Sequence, residues 1–334
     1  MSYQPIGNAA FTAVGPASVP PHSVLLSIVA PEKNEEAAIG AFVARVSLIL
    51  ERLCGDEGWE ILFVDDGSTD ATLPAILAAR ASEPRIRVLS LSRNFGKEAA
   101  LSAGIDHAIG QAVVPLDVDM QDPPEVLTEM VEKWRMGFDV VYGVRRKRDS
   151  DGIVKRTTAG LFYRAHNALS ADKIPEHAGD FRLIDRKAVE VIRSLPERNR
   201  FMKGLFAWGG FRQIGVEYDR VERVAGTTKF NYWKLWTLAI DGITSSSTLP
   251  IRVWSYLGGA IALGAMAYAA VIVAQTLLFG SDVRGYPSLL VAVLFLGGIQ
   301  LISLGVLGEY VGRVLIESKQ RPIYVVRDSY GWDS

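Results

Sequence analysis

The sequence predicts an α/β domain built on a mostly parallel, Rossmann-like sheet, followed by a C-terminal pair of membrane-spanning helices. Three observations support this prediction. Apolar segments of strand length alternate with helical segments in the first half of the chain, polar clusters follow the predicted strands, and two long uncharged segments lie near the C-terminus. Strands that alternate with helices are typical of a parallel sheet covered by helices on both faces.

Five segments are predicted strands, and several are apolar throughout, as buried parallel strands are. They are Val24–Ala30, Trp59–Val64, Ile86–Leu91, the segment from Val113 that enters Asp117, and Asp139–Val144. The helix after the first strand carries apolar residues with helical spacing at Ile39, Phe42 and Val46. In such sheets, ligands bind outside the carboxyl ends of the strands. The polar clusters that follow the predicted strands lie at these ends. The sequence therefore predicts a binding site along this edge.

The composition narrows the class of protein. With 334 residues, the chain has room for one large or two modest domains. Its net charge of −1 gives no overall positive potential that would attract nucleic acid, so we expect no nucleic-acid partner. Cys54 is the single cysteine, which excludes an internal disulfide and a cysteine metal cluster. Residues 1–22 lack Lys, Arg and a continuous apolar core, so they are predicted to be a disordered tail and not a signal peptide.

Two uncharged segments near the C-terminus predict a transmembrane hairpin. Trp254–Phe279 has 26 residues and Ser288–Gly308 has 21, whereas a helix needs roughly 20 apolar residues to cross a bilayer. The alternative is a pair of buried helices in a soluble core. Gly280–Pro287 is too short to form a domain, and it contains one basic residue, Arg284, beside Asp282. Basic residues flank both outer sides: Lys229, Lys234, Arg252, Arg313, Lys319 and Arg321. The positive-inside rule then predicts a multi-pass protein of the inner membrane with both termini in the cytoplasm.

The segment Val113–Pro124, V-V-P-L-D-V-D-M-Q-D-P-P, is the most informative motif. We expect Asp117 and Asp119 to alternate along an extended backbone at a strand end. With the amide oxygen of Gln121, their carboxylates are hard ligands for Mg²⁺ or Mn²⁺, and nucleotide phosphates would fill further positions. The alternative is a polar strand end in which Asp122 caps the next helix.

Two further clusters follow the second and third strands. Asp65 and Asp66 can accept hydrogen bonds from a base or ribose, and Gly67 would let the backbone approach closely; the alternative is a helix N-cap within D-G-S-T-D. Arg93 and Lys97 offer positive charge to phosphates, with a solvated face as the alternative.

The order of four motifs resembles a known enzyme family. P-E-K-N-E-E, V-D-D-G-S-T-D, S-R-N-F-G-K and L-D-V-D-M-Q-D-P-P-E follow the first four strands. They resemble the inverting family-two glycosyltransferases, which implies a GT-A fold. With the C-terminal hairpin, the chain from about residue 24 to residue 326 is more narrowly similar to polyisoprenyl-phosphate glycosyltransferases, such as dolichyl-phosphate mannose synthases and bacterial undecaprenyl-phosphate glucosyltransferases. Lys33 replaces a common aromatic residue, Met120 replaces a usual Leu, and the N-terminal tail is long.

The resemblance implies roles for individual residues. The implied nucleotide-sugar site comprises Pro31, Asn34, Glu35, Asp65, Asp66, Ser68, Lys97 and Asp117. The implied metal ligands are Asp117, Asp119 and Gln121, and the implied catalytic residues are Asp180 and Asp119. The implied lipid-phosphate site comprises Arg145, Arg182, Lys229 and Tyr232. The second pKa of a phosphate monoester is about 6, so the acceptor phosphate is largely a dianion at neutral pH. In this form it is already a nucleophile. Asp180 is therefore either a base or a group that orients the acceptor.

The predicted domain order follows from these assignments. A GT-A domain over 23–228 precedes juxtamembrane amphipathic helices at 229–252, the hairpin at 253–310 and a cytoplasmic tail at 311–334. The basic segment Arg145–Arg148 and the helix-like Ile153–Leu169 predict a membrane-surface element, with a solvated loop as the alternative. Glycine pairs in the two spans would allow helix packing and a homo-oligomer.

The implied function is inverting transfer of a sugar to a polyisoprenyl phosphate of undecaprenyl or decaprenyl type, at the cytoplasmic leaflet, for modification of a cell-envelope glycan. UDP-glucose is the expected donor, and GDP-mannose or a UDP-aminosugar is the alternative. Three other functions are weighed against it: a processive polysaccharide synthase, a soluble metal-dependent nucleotide hydrolase and an inactive membrane adaptor. The sequence lacks the Q-x-x-R-W-type motif expected of the synthase, the hydrolase would need no hairpin, and the full set of acidic and basic groups disfavours the adaptor.

Overall fold

A computed structural model describes residues 24–146 apart from 56, residues 178–219 apart from 199 and 201, isolated helical positions between 258 and 278, and residues 285–332. Several predictions lie outside these residues. They are the surface element at 153–169, the juxtamembrane helices, and the lipid-phosphate residues Lys229 and Tyr232.

The described residues form strands that alternate with helices, as the sequence predicts. The strands are β1 (Val24–Glu32), β2 (Gly58–Asp65), β3 (Ile86–Leu91), β4 (Ala112–Pro115), β5 (Val140–Arg145), β6 (Ala178–Asp185), β7 (Gln213–Tyr218) and β8 (Val326–Tyr330). The helices are α1 (Ile39–Cys54), α2 (Thr72–Ser82), α3 (Lys97–His107), α4 (Leu127–Arg135, after a 3₁₀ turn at Pro124–Val126), α5 (Arg186–Ser194), α6 (Met202–Trp208) and α7 (Tyr286–Lys319).

The strands form one mostly parallel sheet in the order β7-β5-β6-β4-β1-β2-β3-β8. Strands β4, β1, β2 and β3 are mutually parallel, and β5 is parallel to β7. Strand β6 runs antiparallel to both of its neighbours, β4 and β5. Because β6 is reversed, its first residues lie beside the carboxyl end of β5, where Ala178 pairs with Val144. This reversal delivers Asp180 to the edge at which the sequence predicts a site.

Helices cover both faces of the sheet. On one face, Phe42, Val46 and Leu50 of α1 are buried with Ile76 of α2 and Met130 of α4. The opposite face is covered by α3, α5 and α6. The helical spacing predicted for α1 is confirmed. Buried hydrophobic side chains of this size each contribute about 1.5–3 kcal/mol, so both layers stabilise the sheet.

The C-terminal segment, which lies within the predicted tail at 311–334, contains a strand of the sheet. Residues Val326–Tyr330 form β8, which pairs antiparallel with β3. The Tyr324 hydroxyl donates to Asp106 Oδ2 at 3.0 Å, and the Arg87 guanidinium lies 4.1 Å from the centre of the Trp332 ring. These long-range contacts, and not an apolar sequence pattern, hold the strand, which the sequence did not predict. Its charged residues are typical of an edge strand.

Helix α7 contains the second predicted span. Among the described residues, one helical segment, Leu296–Lys319, is long and apolar enough to cross a bilayer. Helix α7 as a whole has 34 residues, which corresponds to a length of about 50 Å. Its side chains Leu289, Leu301 and Leu304 are exposed. Most of the first predicted span lies outside the described residues, so the hairpin stays a prediction.

A buried ion pair supports the opposite end of the sheet. Glu60 Oε2 accepts a hydrogen bond from Arg87 at 2.8 Å, and Oε1 accepts from the Ser27 hydroxyl at 2.6 Å and the Ile109 amide at 2.8 Å. The Glu60 side chain is 3% exposed. A buried carboxylate with this many donors is costly to neutralise because each donor would lose its charged acceptor.

We expect Glu60→Gln to lower the free energy of unfolding by about 3 kcal/mol because it leaves Arg87 buried without its counter-charge. Glu51→Gln is the matched control, since Glu51 pairs with Arg85 on the surface and is 50% exposed. The control is expected to cost less than about 1 kcal/mol. Denaturation of detergent-solubilised protein measures both values. Equal effects would contradict the importance of the buried pair.

Candidate active site

The loops after β1 and β2 are joined by hydrogen bonds at the carboxyl edge of the sheet. The Asn34 amide donates to Ser68 Oγ at 3.0 Å, and the Thr69 amide donates to Asn34 Oδ1 at 2.9 Å. Asn34 has φ of 57°, a left-handed conformation that asparagine tolerates better than most residues. Asn34 and Ser68, both predicted donor-site residues, therefore lie together.

Asp65 and Asp66 are buried supports of these loops. Asp65 is 1% exposed; its Oδ1 accepts from the Ser68 amide at 2.9 Å and its Oδ2 from the Ser90 hydroxyl at 3.1 Å. Asp66 is 4% exposed and accepts from the amides of Phe95 and Gly96 at 2.7 and 2.9 Å. Within D-G-S-T-D, Asp70 accepts a hydrogen bond from the Thr72 amide at the start of α2 at 3.1 Å, so the motif also holds the start of the helix, through Asp70.

Gly67 allows the loops after β2 and β3 to approach each other. Its φ is 65°, and a Cβ at this position would lie 2.7 Å from both the Arg93 carbonyl carbon and the Asn94 nitrogen. Real Cβ atoms do not come this close to backbone, so a glycine is required here. The close approach expected of Gly67 is thus observed between two loops of the protein.

The aspartates of the D-x-D motif lie in a turn. Strand β4 ends at Pro115, the Met120 amide donates to the Asp117 carbonyl at 3.3 Å, and Met120 has φ of 50°. The predicted extended backbone is wrong. Exposure nevertheless alternates along the turn, because Asp117, Asp119 and Gln121 are partly exposed whereas Val118 and Met120 are buried. The Gln121 amide donates to Asp119 Oδ1 at 3.2 Å, which fixes that carboxylate on the turn.

A lysine connects two of the predicted site carboxylates. Lys97 Nζ lies 2.7 Å from Asp117 Oδ2 and 3.5 Å from Asp180 Oδ2. The three side chains are 48%, 41% and 41% exposed, so they open to solvent. Burial opposes the charge of Lys97, but the two carboxylates outweigh it and raise the pKa of the ammonium above its usual value. Residues from the start of α3, the end of β4 and the start of β6 therefore meet in one charged cluster.

The carboxylates of this turn fit a hard divalent cation. No group of three or more His, Cys, Asp or Glu side chains suitable for a metal ion occurs within the part of the chain that the structure describes. Mg²⁺ needs fewer protein ligands when a nucleotide is present, since one or two carboxylates and the substrate phosphates hold it. Asp117 and Asp119 supply two partly exposed carboxylates on one turn, and this donor set is compatible with such an ion.

Comparison with known proteins assigns the chain to a family. The sequence profile described as "Glycosyl transferase family 2" matches residues 27–193. The chain belongs to glycosyl transferase family 2. It is 54% identical over 303 residues to the bactoprenol glucosyl transferase of Shigella phage SfV, covering 91% of this chain and 98% of that protein. It is 53% identical over 309 residues to an uncharacterised glycosyltransferase of Synechocystis, covering 92% and 96%.

A solved structure with a similar arrangement is a mannosyltransferase from Pyrobaculum calidifontis in complex with GDP-mannose and Mn²⁺. Its TM-score is 0.44 at 19% identity, and the match covers 89% of this chain and 84% of that one. The family assignment makes this protein a glycosyltransferase with a GT-A-like α/β fold.

The glycosyltransferase also contains site residues that the sequence analysis missed. The Tyr218 hydroxyl donates to Asp122 Oδ1 at 2.5 Å, and Arg145 lies 3.5 Å from the same oxygen and 3.3 Å from the hydroxyl. Asp122 therefore holds Arg145 through a buried triad, and the alternative that it caps the next helix is wrong, since the 3₁₀ turn follows Pro123 with no side-chain cap. Tyr218 lies 96 residues from Asp122, so no local pattern could reveal the contact.

Arg182 is placed differently from Arg145. It lies on β6 two residues after Asp180, is 3% exposed, and its guanidinium is 4.2 Å from the centre of the Phe206 ring. Alternation along a strand puts Asp180 and Arg182 on the same face of the sheet, with Asp180 nearer to the solvent. The glycosyltransferase thus presents Arg145 at the site edge and keeps Arg182 beneath it.

Glu32 is a buried acid at the carboxyl end of β1. It pairs in register with Asp65, is 5% exposed, and neither carboxylate oxygen has a hydrogen-bond partner among the residues that the structure describes. Burial, followed by the nearby charges of Asp65, Glu35 and Asp70, raises the pKa of Glu32 well above its ordinary value of 4.5. The folded glycosyltransferase therefore favours the protonated form.

The raised pKa of Glu32 predicts a loss of stability as pH rises. Below the ordinary pKa the acid is protonated in both states; above it the unfolded chain releases the proton, which the folded chain retains until pH reaches the raised value. We expect Glu32→Gln to remove this contribution and to become more stable than wild type at neutral pH. Melting temperatures measured from pH 4.5 upward test this, with exposed Glu129→Gln as the control. Parallel pH profiles of wild type and Glu32→Gln would contradict it.

Proposed function

We propose that this glycosyltransferase transfers glucose from UDP-glucose to a polyisoprenyl phosphate, with inversion at the anomeric carbon. The observation that carries the proposal is the cluster of Lys97, Asp117 and Asp180, because a cation and two carboxylates meet there at the carboxyl edge of the sheet. The bactoprenol glucosyl transferase of phage SfV, identical at 54% of aligned positions, supports the same sugar and the same class of acceptor.

The donor occupies the carboxyl edge of β1, β2 and β4. Pro31, Asn34, Glu35 and Ser68 form the nucleoside side of this site, and Lys97 with Asp117 faces the diphosphate. Asp65 and Asp66 are buried, so they act by holding the loops that carry Ser68 and Gly96. The Lys97 ammonium, held between two carboxylates, supplies positive charge where the diphosphate leaves.

Mg²⁺ or Mn²⁺ is the cofactor that fits Asp117, Asp119 and Gln121. Such an ion supplies electrostatic stabilisation for the departing diphosphate. The hydrogen bond from the Gln121 amide to Asp119 Oδ1 holds this carboxylate on the same turn as Asp117.

The acceptor phosphate lies on the β5–β6 side of the cluster. Arg145, fixed by Asp122 and Tyr218, offers the first contact, and Lys229 and Tyr232 complete the proposed phosphate site. Arg182 is buried beneath this site and contributes its positive charge from there. A phosphate oxygen attacks the anomeric carbon while the bond to the β-phosphate oxygen of UDP breaks, and UDP departs. Because the acceptor is largely a dianion at neutral pH, Asp180 orients it and accepts a proton where one remains.

The bilayer is the site of the reaction. Helix α7 supplies one apolar segment long enough to span it, and the uncharged 254–279 segment supplies the other arm of the proposed hairpin. The basic flanks put the enzyme at the cytoplasmic leaflet of the inner membrane, in a multi-pass topology, and glycines in the spans permit a homo-oligomer.

A membrane-fraction assay tests this function. Membranes that contain the protein are incubated with labelled UDP-glucose, undecaprenyl phosphate and Mg²⁺, with and without EDTA. We expect label in the organic phase, and we expect EDTA to abolish it. Label from GDP-mannose or a UDP-aminosugar, and none from UDP-glucose, would make the donor assignment wrong. No label from any nucleotide sugar would overturn the proposed function.

Asp119→Ala tests the metal assignment. We expect kcat to fall at least about a hundredfold, because the charge on the leaving diphosphate loses its counter-ion, while the protein stays in the membrane fraction. Exposed Glu129→Ala on α4 is the matched control and should retain activity. An Asp119→Ala enzyme as active as the control would disprove metal binding by this residue.

A further inference from the structure

The C-terminal strand β8 contacts the edge of the sheet at which the donor loops begin. It follows α7 after six residues, and its first residue, Val326, pairs with Leu91 at the carboxyl end of β3. The Ser92 amide donates to the Val325 carbonyl at 2.9 Å, so the contact continues past the end of the strand. The segment after the apolar helix is therefore built into the catalytic domain next to the predicted site.

One side chain of β8 joins the hydrogen bonds of the donor loops. Arg327 Nη2 donates to Ser90 Oγ at 2.9 Å, and that hydroxyl donates to Asp65 Oδ2 at 3.1 Å. A hydroxyl can accept one hydrogen bond while donating another, so the two contacts are compatible. The positive charge of Arg327 also polarises the Ser90 hydroxyl toward the carboxylate. Arg327 thus acts on Asp65 without touching it.

From Asp65 the hydrogen bonds continue to both donor loops. Asp65 Oδ1 accepts from the Ser68 amide, and Ser68 Oγ accepts from the Asn34 amide. Ser90 and Asp65 are each at most 1% exposed, so water does not replace the bond between them, whereas the bond between Ser68 and Asn34 lies at the surface. The series Arg327–Ser90–Asp65–Ser68–Asn34 crosses four strands or the loops that follow them.

We propose that Arg327 is a positioning residue for the nucleotide-sugar site, which acts through Ser90 on Asp65 and couples the segment after α7 to the donor loops. The proposal rests on the proposed function for its kinetic consequence only. The structural consequence is that Arg327 keeps the Ser68 and Asn34 amides in their hydrogen bonds. It is expected in the donor-free protein as well.

The strength of the effect is limited by exposure. The Arg327 side chain is 53% exposed and also donates to Asp328 Oδ2 at 2.9 Å. A hydrogen bond from a charged donor to a buried hydroxyl is worth more than a surface ion pair, but solvent reduces its contribution. We therefore expect an effect of about three- to tenfold on donor affinity and none on folding beyond that of a neutral surface change.

Hydrogen exchange tests the structural consequence in the full-length, donor-free protein. Arg327→Met is compared with Ser329→Ala, an exposed change on the same strand. We expect about three- to tenfold faster exchange at the Ser68 and Asn34 amides in Arg327→Met only. The Phe95 and Gly96 amides, held by Asp66, should not change. Unchanged exchange at Ser68, or equal acceleration in the control, would overturn the proposal.

A double-mutant cycle tests whether Arg327 acts through Ser90. We expect Arg327→Met and Ser90→Ala each to raise the KM for UDP-glucose, with little change in kcat or in the KM for the lipid phosphate. In the Ser90→Ala background, Arg327→Met should have no further effect, because the intermediate group is gone. Arg327→Lys should recover part of the lost affinity. Additive effects, or a fall in kcat alone, would contradict the proposed route.

The two experiments separate this proposal from the proposed function. If wild-type protein transfers no sugar from any donor, the proposed function is wrong, and the exchange measurement still decides the role of Arg327. If wild type is active and Arg327→Met matches Ser329→Ala both in amide exchange and in the KM for UDP-glucose, the proposed role of Arg327 is wrong. The proposed function then stands.

Discussion

The buried carboxylates of Asp65 and Asp66 are the constraint on which the site depends. They follow one strand in consecutive positions, yet Asp65 holds the loop that carries Ser68 and Asp66 holds the loop that precedes α3. A carboxylate that accepts two hydrogen bonds away from water organises its donors strongly, because losing either donor leaves charge unsatisfied in a medium of low dielectric. The loops that follow β1, β2 and β3 are therefore held in fixed positions relative to one another. Gly67 is needed between the two loops because any side chain would meet backbone atoms.

The charges of one lysine and two aspartates lie together at the carboxyl edge of the sheet. Asp117 lies in the turn after β4, Asp180 lies on the antiparallel strand β6, and Lys97 contacts both carboxylates. Without a cation, two carboxylates at this spacing would repel each other and disfavour the open site. The lysine stabilises the pair when no diphosphate is bound, and the same positive charge is available to the diphosphate when one binds. In the proposed function, stability of the empty site and affinity for the donor therefore depend on the same residue.

Strands β6 and β8, which run against their neighbours, bring distant parts of the chain to this site. Strand β6 carries Asp180 to the carboxyl edge because it starts where β5 ends, and β8 brings Arg327 to Ser90 from 237 residues away in the sequence. A polar strand at the edge of a sheet is held by backbone pairing and by a few specific side chains. Here these are Tyr324 on Asp106 and Trp332 on Arg87, so the segment after the apolar helix is part of the catalytic domain.

The sequence by itself determined the alternating strands and helices, the polar edge of the sheet and the family, because periodicity and local motifs depend on neighbours along the chain. It also located α7 by its lack of charge. Tertiary structure decided the rest. Burial of Asp65 and Asp66, the turn at Asp117, the triad of Asp122, Tyr218 and Arg145, and the place of β8 all depend on contacts between residues far apart in sequence. No local pattern encodes such contacts, since they arise only when the sheet order and strand directions are established.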